Sequence, residues 1–221
     1  MTAKDLLFEH LHALGPDDTN ERALAWMDEF HVRHLPVISE EGTVLGLVAE
    51  EQLLDMTDPD SAISALIPEL TQAAIQETHH LYEVLKMMVE QNLTVLPVID
   101  KAMKYVGAIS LESLLKAFAE LGAVAHPGGV LVIDMDARDY ALSTIARLIE
   151  GEKAIILSSY ITSQVGNTRL QLTLKLNTQD LRHIVATLQR FGFDVQASFQ
   201  EDDYLDTLRE RYDLLMNYLS I

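Results

Sequence analysis

The chain contains no cysteine. That excludes disulfides, thiolate zinc sites, iron–sulfur clusters and a cysteine nucleophile, and it fits a reducing compartment such as the cytoplasm. Basic residues are scarce: 16 Lys and Arg stand against 34 Asp and Glu, a formal net charge of −18. A surface of that sign repels phosphate backbones, which argues against nucleic acid as a direct partner. No run approaches the ~18 uncharged apolar residues of a membrane helix. The first fourteen residues carry Asp5, Glu9 and two histidines where a secretory signal needs an unbroken apolar core. Glycine-rich phosphate loops are also missing, since neither G-x-x-x-x-G-K-S/T nor G-x-G-x-x-G occurs. The expectation is a cytoplasmic protein without a membrane anchor. What remains is an ordinary globular mixture of 221 residues, 48% hydrophobic and 23% charged, long enough for one or two domains of about 100–150 residues.

The first half repeats. Pro36, Gly46 and Leu53 recur as Pro97, Gly107 and Leu114, each 61 residues later. Landmarks at one offset, without gaps, indicate duplication. Each copy has the same grammar. The spacing predicts a helix over 23–30 and over 81–91, where Leu81, Leu85, Met88 and Val89 share a face. A strand then enters through Leu-Pro-Val-Ile, where proline is tolerated because its missing N–H need not pair. Turns over 40–43 and 101–104 lead to glycine-bearing strands over 44–48 and 105–109. Helices over 50–55 and 111–121 close the copies. Neither copy buries its apolar face alone, so the two predict one compact unit.

These residues resemble the CBS domain family, and the pair resembles a tandem CBS module over about residues 1–122. The resemblance rests on His34-Leu35-Pro36-Val37-Ile38 and Thr94-Val95-Leu96-Pro97-Val98-Ile99. It rests equally on Gly46-Leu47-Val48 and Gly107-Ala108-Ile109, each leading into a helix. It implies a regulatory module without catalysis and, in many members, an adenine nucleotide (AMP, ADP or ATP) in a cleft between repeats. Carried over residue by residue, the phosphate positions are Arg33 and His34 in copy one and Leu93 and Thr94 in copy two. The ribose hydroxyl-residue positions are Ala49 and Ser110. The ribose aspartate positions are Gln52 and Ser113, so both aspartates are missing. A carboxylate accepts from both ribose hydroxyls, whereas Ser is shorter and Gln is neutral. The candidate nucleotide-binding residues are therefore Arg33, His34, Thr94 and Ser110, with no catalytic residue, no metal and no resident cofactor.

The second half reads differently. Gly122 to Gly129, with Pro127, marks a linker. Acidity also falls: residues 1–125 carry 7 basic and 21 acidic side chains, and residues 126–221 carry 9 and 13. Val130-Leu131-Val132-Ile133 predicts a strand. A helix over 141–150 follows, with Leu142, Ile145, Ala146 and Ile149 on one face and Gly151 ending it. Strands over 154–163 and 168–176 flank a Gly166-Asn167 turn, and Leu170, Leu172, Leu174 and Leu176 alternate to one side. Asn177 or Thr178 caps a helix over 179–191, Gly192 ends it, and 193–199 is a last strand. The order β-α-β-β-α-β is the split βαβ arrangement. Over 130–199 it resembles the ACT domain family, which implies a small-ligand sensor that pairs sheets across a dimer. Tyr140 stands where that family places a glycine before its first helix, and its ring obstructs the usual ligand approach. The tail over 201–221 is predicted helical, with Leu205, Leu208, Tyr212, Leu215 and Leu219 on one stripe that needs a surface to cover.

The predicted architecture is therefore α+β. A tandem CBS pair of α-β-β-α repeats (1–61 and 62–122) precedes a ferredoxin-like βαββαβ ACT-like domain (128–200) and a C-terminal helix (201–221). The order resembles acetoin-utilisation regulator proteins. The expected function is a non-catalytic regulatory or sensor protein, a homodimer acting on an unknown client protein, with a scaffold of degenerate ligand sites as the alternative.

A third reading starts from Asp134-Met135-Asp136 at the end of an apolar strand, the way haloacid-dehalogenase phosphatases present carboxylates beside Mg²⁺. Ser158 or Ser159, Lys175 and Asp202-Asp203 would complete it. Against it, Arg138 stands where a hydroxyl is usual, and two helices are too few for a doubly wound parallel sheet. Asp134, Asp136 and Asp139 are then expected in a solvated strand–helix loop. His10-x-His12 and His31-x-x-His34 have metal-like spacing but no strong companion ligands, so solvated or capping roles are expected. His79-His80 either meets a phosphate or starts a helix.

Overall fold

The computed structural model describes residues 1–8, 11–163, 168–199 and 216. The expected Gly166-Asn167 turn and, apart from Met216, the 201–221 helix lie outside the described residues, as do His10, Asp202 and Asp203. The chain divides into two compact units, Met1–Ala117 and Phe118–Ile221.

In the first unit, α1 (Asn20–Glu29) is followed by β1 (His34–Ile38), β2 (Val44–Ala49) and the short α2 (Glu50–Leu54). The second copy comprises β3 (Ile75–Gln76), α3 (Leu81–Glu90), β4 (Val95–Ile99), β5 (Tyr105–Ser110) and α4 (Leu111–Leu121). α1 starts three residues earlier than its apolar pattern suggests because Thr19 caps it, accepting the Arg22 N–H at 3.3 Å. α3 starts at His80, whose Nδ1 accepts the Tyr82 N–H at 3.2 Å while Glu83 accepts the His80 N–H at 3.0 Å. Both helices end alike: His31 and Asn92 each adopt φ of 53°, and the Val32 and Leu93 amides turn back to Met27 and Met88 at 2.9 and 2.8 Å.

The two hairpins have one register. His34 faces Ala49 as Val95 faces Ser110, and both hairpins carry a bulge before their last pair. Each copy's lead-in crosses the other copy first. Phe8 donates to Ala108 before Leu14 pairs parallel with Val37. Thr71 exchanges two bonds with Leu47 before Ile75 pairs parallel with Val98. These short parallel additions, again 61 residues apart, are not visible in the sequence pattern. Leu35, Val37, Val48 and Leu53 are fully buried in copy one, as are Leu81, Leu96, Val98 and Ile109 in copy two, and Ile63 between the hairpins.

The second unit runs β6 (Val130–Asp136), α5 (Leu142–Gly151), β7 (Ile156–Ser163), β8 (Arg169–Leu176), α6 (Arg182–Arg190) and β9 (Asp194–Phe199). The sheet order is β7-β8-β6-β9, antiparallel throughout, which is the ferredoxin-like arrangement. Leu170, Leu172, Leu174 and Leu176 are buried on one face with Leu131 and Ile133, against Ile145, Ile149, Ile184 and Leu188 of the helices. Each such side chain contributes about 1.5–3 kcal/mol of burial.

Three expectations need correction here. α5 runs through Gly151, and Lys153 takes the left-handed turn at φ 62°. α6 begins at Arg182: Asn177 instead accepts the Ile155 N–H at 2.7 Å, and Asp180 accepts the Arg182 N–H at 3.1 Å. Finally, Asp134 and Asp136 lie in strand β6 and not in a loop.

Candidate functional site

Three of the four candidate residues, Arg33, His34 and Thr94, come together at the seam between the repeats, and Ser110 does not join them. Arg33 precedes β1 and Thr94 precedes β4, so the common register brings the two strand entrances face to face. The Arg33 amide donates to Thr94 Oγ1 at 2.9 Å. His34 Nδ1 lies 3.0 Å from the same hydroxyl and accepts the Thr94 amide at 3.3 Å. A backbone N–H only donates, so Nδ1 is the acceptor and the imidazole proton sits on Nε2. Burial, reinforced by the Arg33 charge and opposed by Glu51, holds His34 below the usual imidazole range. It is therefore a neutral acceptor near pH 7.

Arg33 and His34 line an open cleft of about 160 Å³ with Ala49, Glu50, Glu51, Gln91 and Asn92. That is smaller than the roughly 300–1,000 Å³ of a pocket enclosing a whole small molecule. Among the described residues, no carboxylate lies within ion-pair distance of the Arg33 guanidinium. Thr94 and Ser110 do not line this cleft. Thr94 is buried behind it, and Ser110 is buried beside the start of α4.

The two positions where a ribose-binding carboxylate would sit are turned inward. Gln52 Oε1 accepts the Ala49 amide at 2.8 Å, and its Nε2 donates to the Glu69 carbonyl at 2.9 Å. Ser113 Oγ accepts the Ser110 amide at 3.1 Å and donates to the Ser110 carbonyl at 2.9 Å, while Ser110 Oγ accepts the Ser113 amide at 3.1 Å. Both side chains cap their own helices. Glu50, Glu51, Gln91 and Asn92 were not anticipated as lining residues. The only signal for Asn92 is its place after a helix end, the same offset from His31 as the other landmarks.

A family model for the CBS domain matches residues 3–57 and 71–120. These segments form a CBS domain pair. The module so defined holds the seam, the cleft and both capped helix starts. Over 122 residues, 52% of its length, the chain is 28% identical to a homoserine O-acetyltransferase of Methanosarcina acetivorans, covering 22% of that protein. The chain spans less than a third of the length of the curated relatives it matches. A CBS domain pair/ACT domain protein of Thermotoga maritima is 26% identical, with 54% of this chain and 98% of that one covered at a TM-score of 0.48. A putative acetoin utilization protein of Vibrio cholerae is 21% identical, with 57% and 95% covered at 0.49.

The other constellations resolve as local structure. His80 is a helix cap, and His12 packs its ring 5.5 Å from Trp26 and 6.0 Å from Phe30. No group of three or more His, Asp or Glu poised for a metal occurs among the described residues. Asp134 accepts from Arg169 Nε at 3.0 Å, and the strand that carries it runs antiparallel to both neighbours. That arrangement removes the phosphatase reading, which requires a parallel sheet. Tyr140 stays partly exposed just before α5. Among the described residues, no helix is long and apolar enough to cross a membrane.

Proposed function

We propose that the CBS pair is a non-catalytic sensing module that takes the phosphate end of an adenine nucleotide at the cleft beside Arg33 and His34. The observation that carries this reading is the Arg33 guanidinium, a fixed cation lining an inter-repeat cleft with no ion-pair partner among the described residues. Glu50 and Glu51 on the rim favour the monophosphate over more highly charged forms. Thr94 and Ser110 support the site by holding its walls. With Gln52 and Ser113 committed to helix capping, ribose recognition is weak, and affinity rests on the phosphate and the base.

The protein acts as a homodimer, and the second unit supplies a surface for it. β7 is an eight-residue edge strand of sequence ILSSYITS, without charge or proline and with Tyr160 and Ile161 exposed. Such an edge is ordinarily paired or covered.

The test is thermal unfolding and calorimetric titration with AMP, ADP and ATP. A rise in Tm that saturates with AMP supports the module as a sensor. Arg33→Met should then weaken binding about tenfold, the effect of losing one charge-assisted contact. The alternative, a scaffold whose ligand sites have lost their chemistry, is favoured by the inward-turned Gln52 and Ser113. It predicts no shift with any nucleotide, and that result overturns the sensing reading.

A further inference from the structure

His34 belongs to two structures at once. Its ring lines the cleft, and its Nδ1 is the acceptor for a buried amide of the other repeat. At this end of the hairpins the inter-repeat bonds converge on Thr94: its hydroxyl takes the Arg33 amide and its amide goes to His34. The opposite end is held independently, by Lys104 Nζ on the Glu41 carbonyl at 2.7 Å and the Tyr105 amide on the Gly42 carbonyl at 2.8 Å. One end of the seam therefore draws on an imidazole lone pair, and the other on a lysine side chain and a backbone amide.

We propose that His34 is a proton-operated latch on this seam, closed when the ring is neutral and opened when Nδ1 takes a proton. Protonation turns Nδ1 from acceptor to donor. The Thr94 hydroxyl accommodates the change, because its oxygen accepts from the ring as well as from Arg33. The Thr94 amide does not: it loses its acceptor, faces a like-oriented N–H, and is buried away from water. The charged groups around the ring are Arg33 on its own strand entrance and Glu50 and Glu51 at the start of α2. The facing segment, Gln91 to Thr94, brings no charge. Burial and Arg33 together keep the ring neutral, with Glu51 opposing. The folded protein thus holds fewer protons than the unfolded chain. The latch contributes fully above pH about 6.5, and its contribution falls as pH drops through the folded value. A consequence rests on the nucleotide reading above. A phosphate in the cleft favours the imidazolium, so an anion and a proton open the latch together.

The experiment is a pH titration of the full chain by NMR, following the His34 ring and the Thr94 and Arg33 amides, with His34→Asn as the control. Asn places a non-titrating acceptor near the Nδ1 position. The expected result is a ring midpoint below 6.5 with the Thr94 amide moving at that same midpoint. Thr94 hydrogen-exchange protection should fall by up to about fivefold between pH 7.5 and 5, while His34→Asn keeps its protection throughout. A Thr94 amide that ignores the ring titration, or equal protection loss in both proteins, overturns the latch. Adding inorganic pyrophosphate should raise the ring midpoint in the wild type. If pyrophosphate and nucleotides fail to bind, the nucleotide reading falls, and the ligand-free titration still decides the latch.

Discussion

The two repeats share a frame and differ in almost every group that could touch a ligand. The hairpin register, the bulge, the glycine at strand centre and the left-handed helix end all recur at an offset of 61 residues. The side chains at the strand entrances do not. By the hairpin register, Arg33 and His34 in copy one correspond to Thr94 and Val95 in copy two, one residue later than the Leu93 and Thr94 expected from the family pattern, and Ala49 and Gln52 correspond to Ser110 and Ser113. The frame consists of backbone requirements that each copy must meet to bury its own apolar face. The site is made of side chains whose loss leaves that burial intact. Copy one has kept a cationic entrance and copy two a hydroxyl, so neither holds a complete site.

The strongest way to break the comparison is at the paired glycines. Gly46 sits at φ +146°, and a Cβ there would lie 2.7 Å from the Leu70 Cβ and 3.1 Å from the Thr71 carbonyl oxygen. Gly107 meets only the tip of the Leu7 side chain, at 3.1 Å, which can turn away. Gly46→Ala should cost about 3 kcal/mol, the combined effect of overpacking and backbone strain, and Gly107→Ala about half of that. Urea unfolding of the two variants measures the difference; equal losses would mean that the lead-in over Gly46 is as yielding as the one over Gly107.

Next in size is the seam. Thr94→Val keeps the side-chain shape but removes the oxygen that accepts the Arg33 amide. Leaving that donor unmatched should cost about 1–2 kcal/mol. Arg33→Met, at the equivalent position of copy one, keeps its own backbone amide and should stay within about 0.5 kcal/mol. The two substitutions then separate structural from ligand-facing chemistry: the first lowers Tm, the second lowers nucleotide affinity.

The duplicated strands and the leucine ladder of β8 were legible because proline, glycine and strict alternation mark them. The parallel additions at Leu14 and Ile75 were not, because one or two residues carry no period. Helix ends were misread where a stronger partner competed for the expected cap. Asn177 goes to the Ile155 amide and leaves Asp180 to serve α6. At the cleft, residue types were readable and side-chain directions were not. Arg33 and His34 stand at its wall, whereas Thr94 and Ser110 spend their hydroxyls on the seam and on a helix start.

A gain of function sharpens the same contrast. Gln52→Asp places a carboxylate at the start of α2, in the copy that already has Arg33. Ser113→Asp does so in the copy without a cation. If Arg33 anchors the phosphate, Gln52→Asp should tighten AMP binding about tenfold, as a charge-assisted pair to ribose hydroxyls does. Ser113→Asp should change it less than twofold. Calorimetric titration ranks them, and the opposite order would move the site to copy two.

The smallest expected effect is the pH dependence of stability, and it too divides the copies. His34 titrates, and the residue at its register position in copy two is the buried Val95. The folded value of His34 is lowered, chiefly by burial. The neutral ring therefore stabilises the fold fully above pH about 6.5, and that contribution fades on acidification. Because the ring is only half-buried, solvent screening limits the effect to below about 1 kcal/mol. His34→Asn should remove this component, so its unfolding free energy between pH 7.5 and 5.5 should decline less steeply than that of the wild type. Parallel curves would assign the acid sensitivity of this carboxylate-rich chain to its Asp and Glu residues and leave the seam without a titrating member.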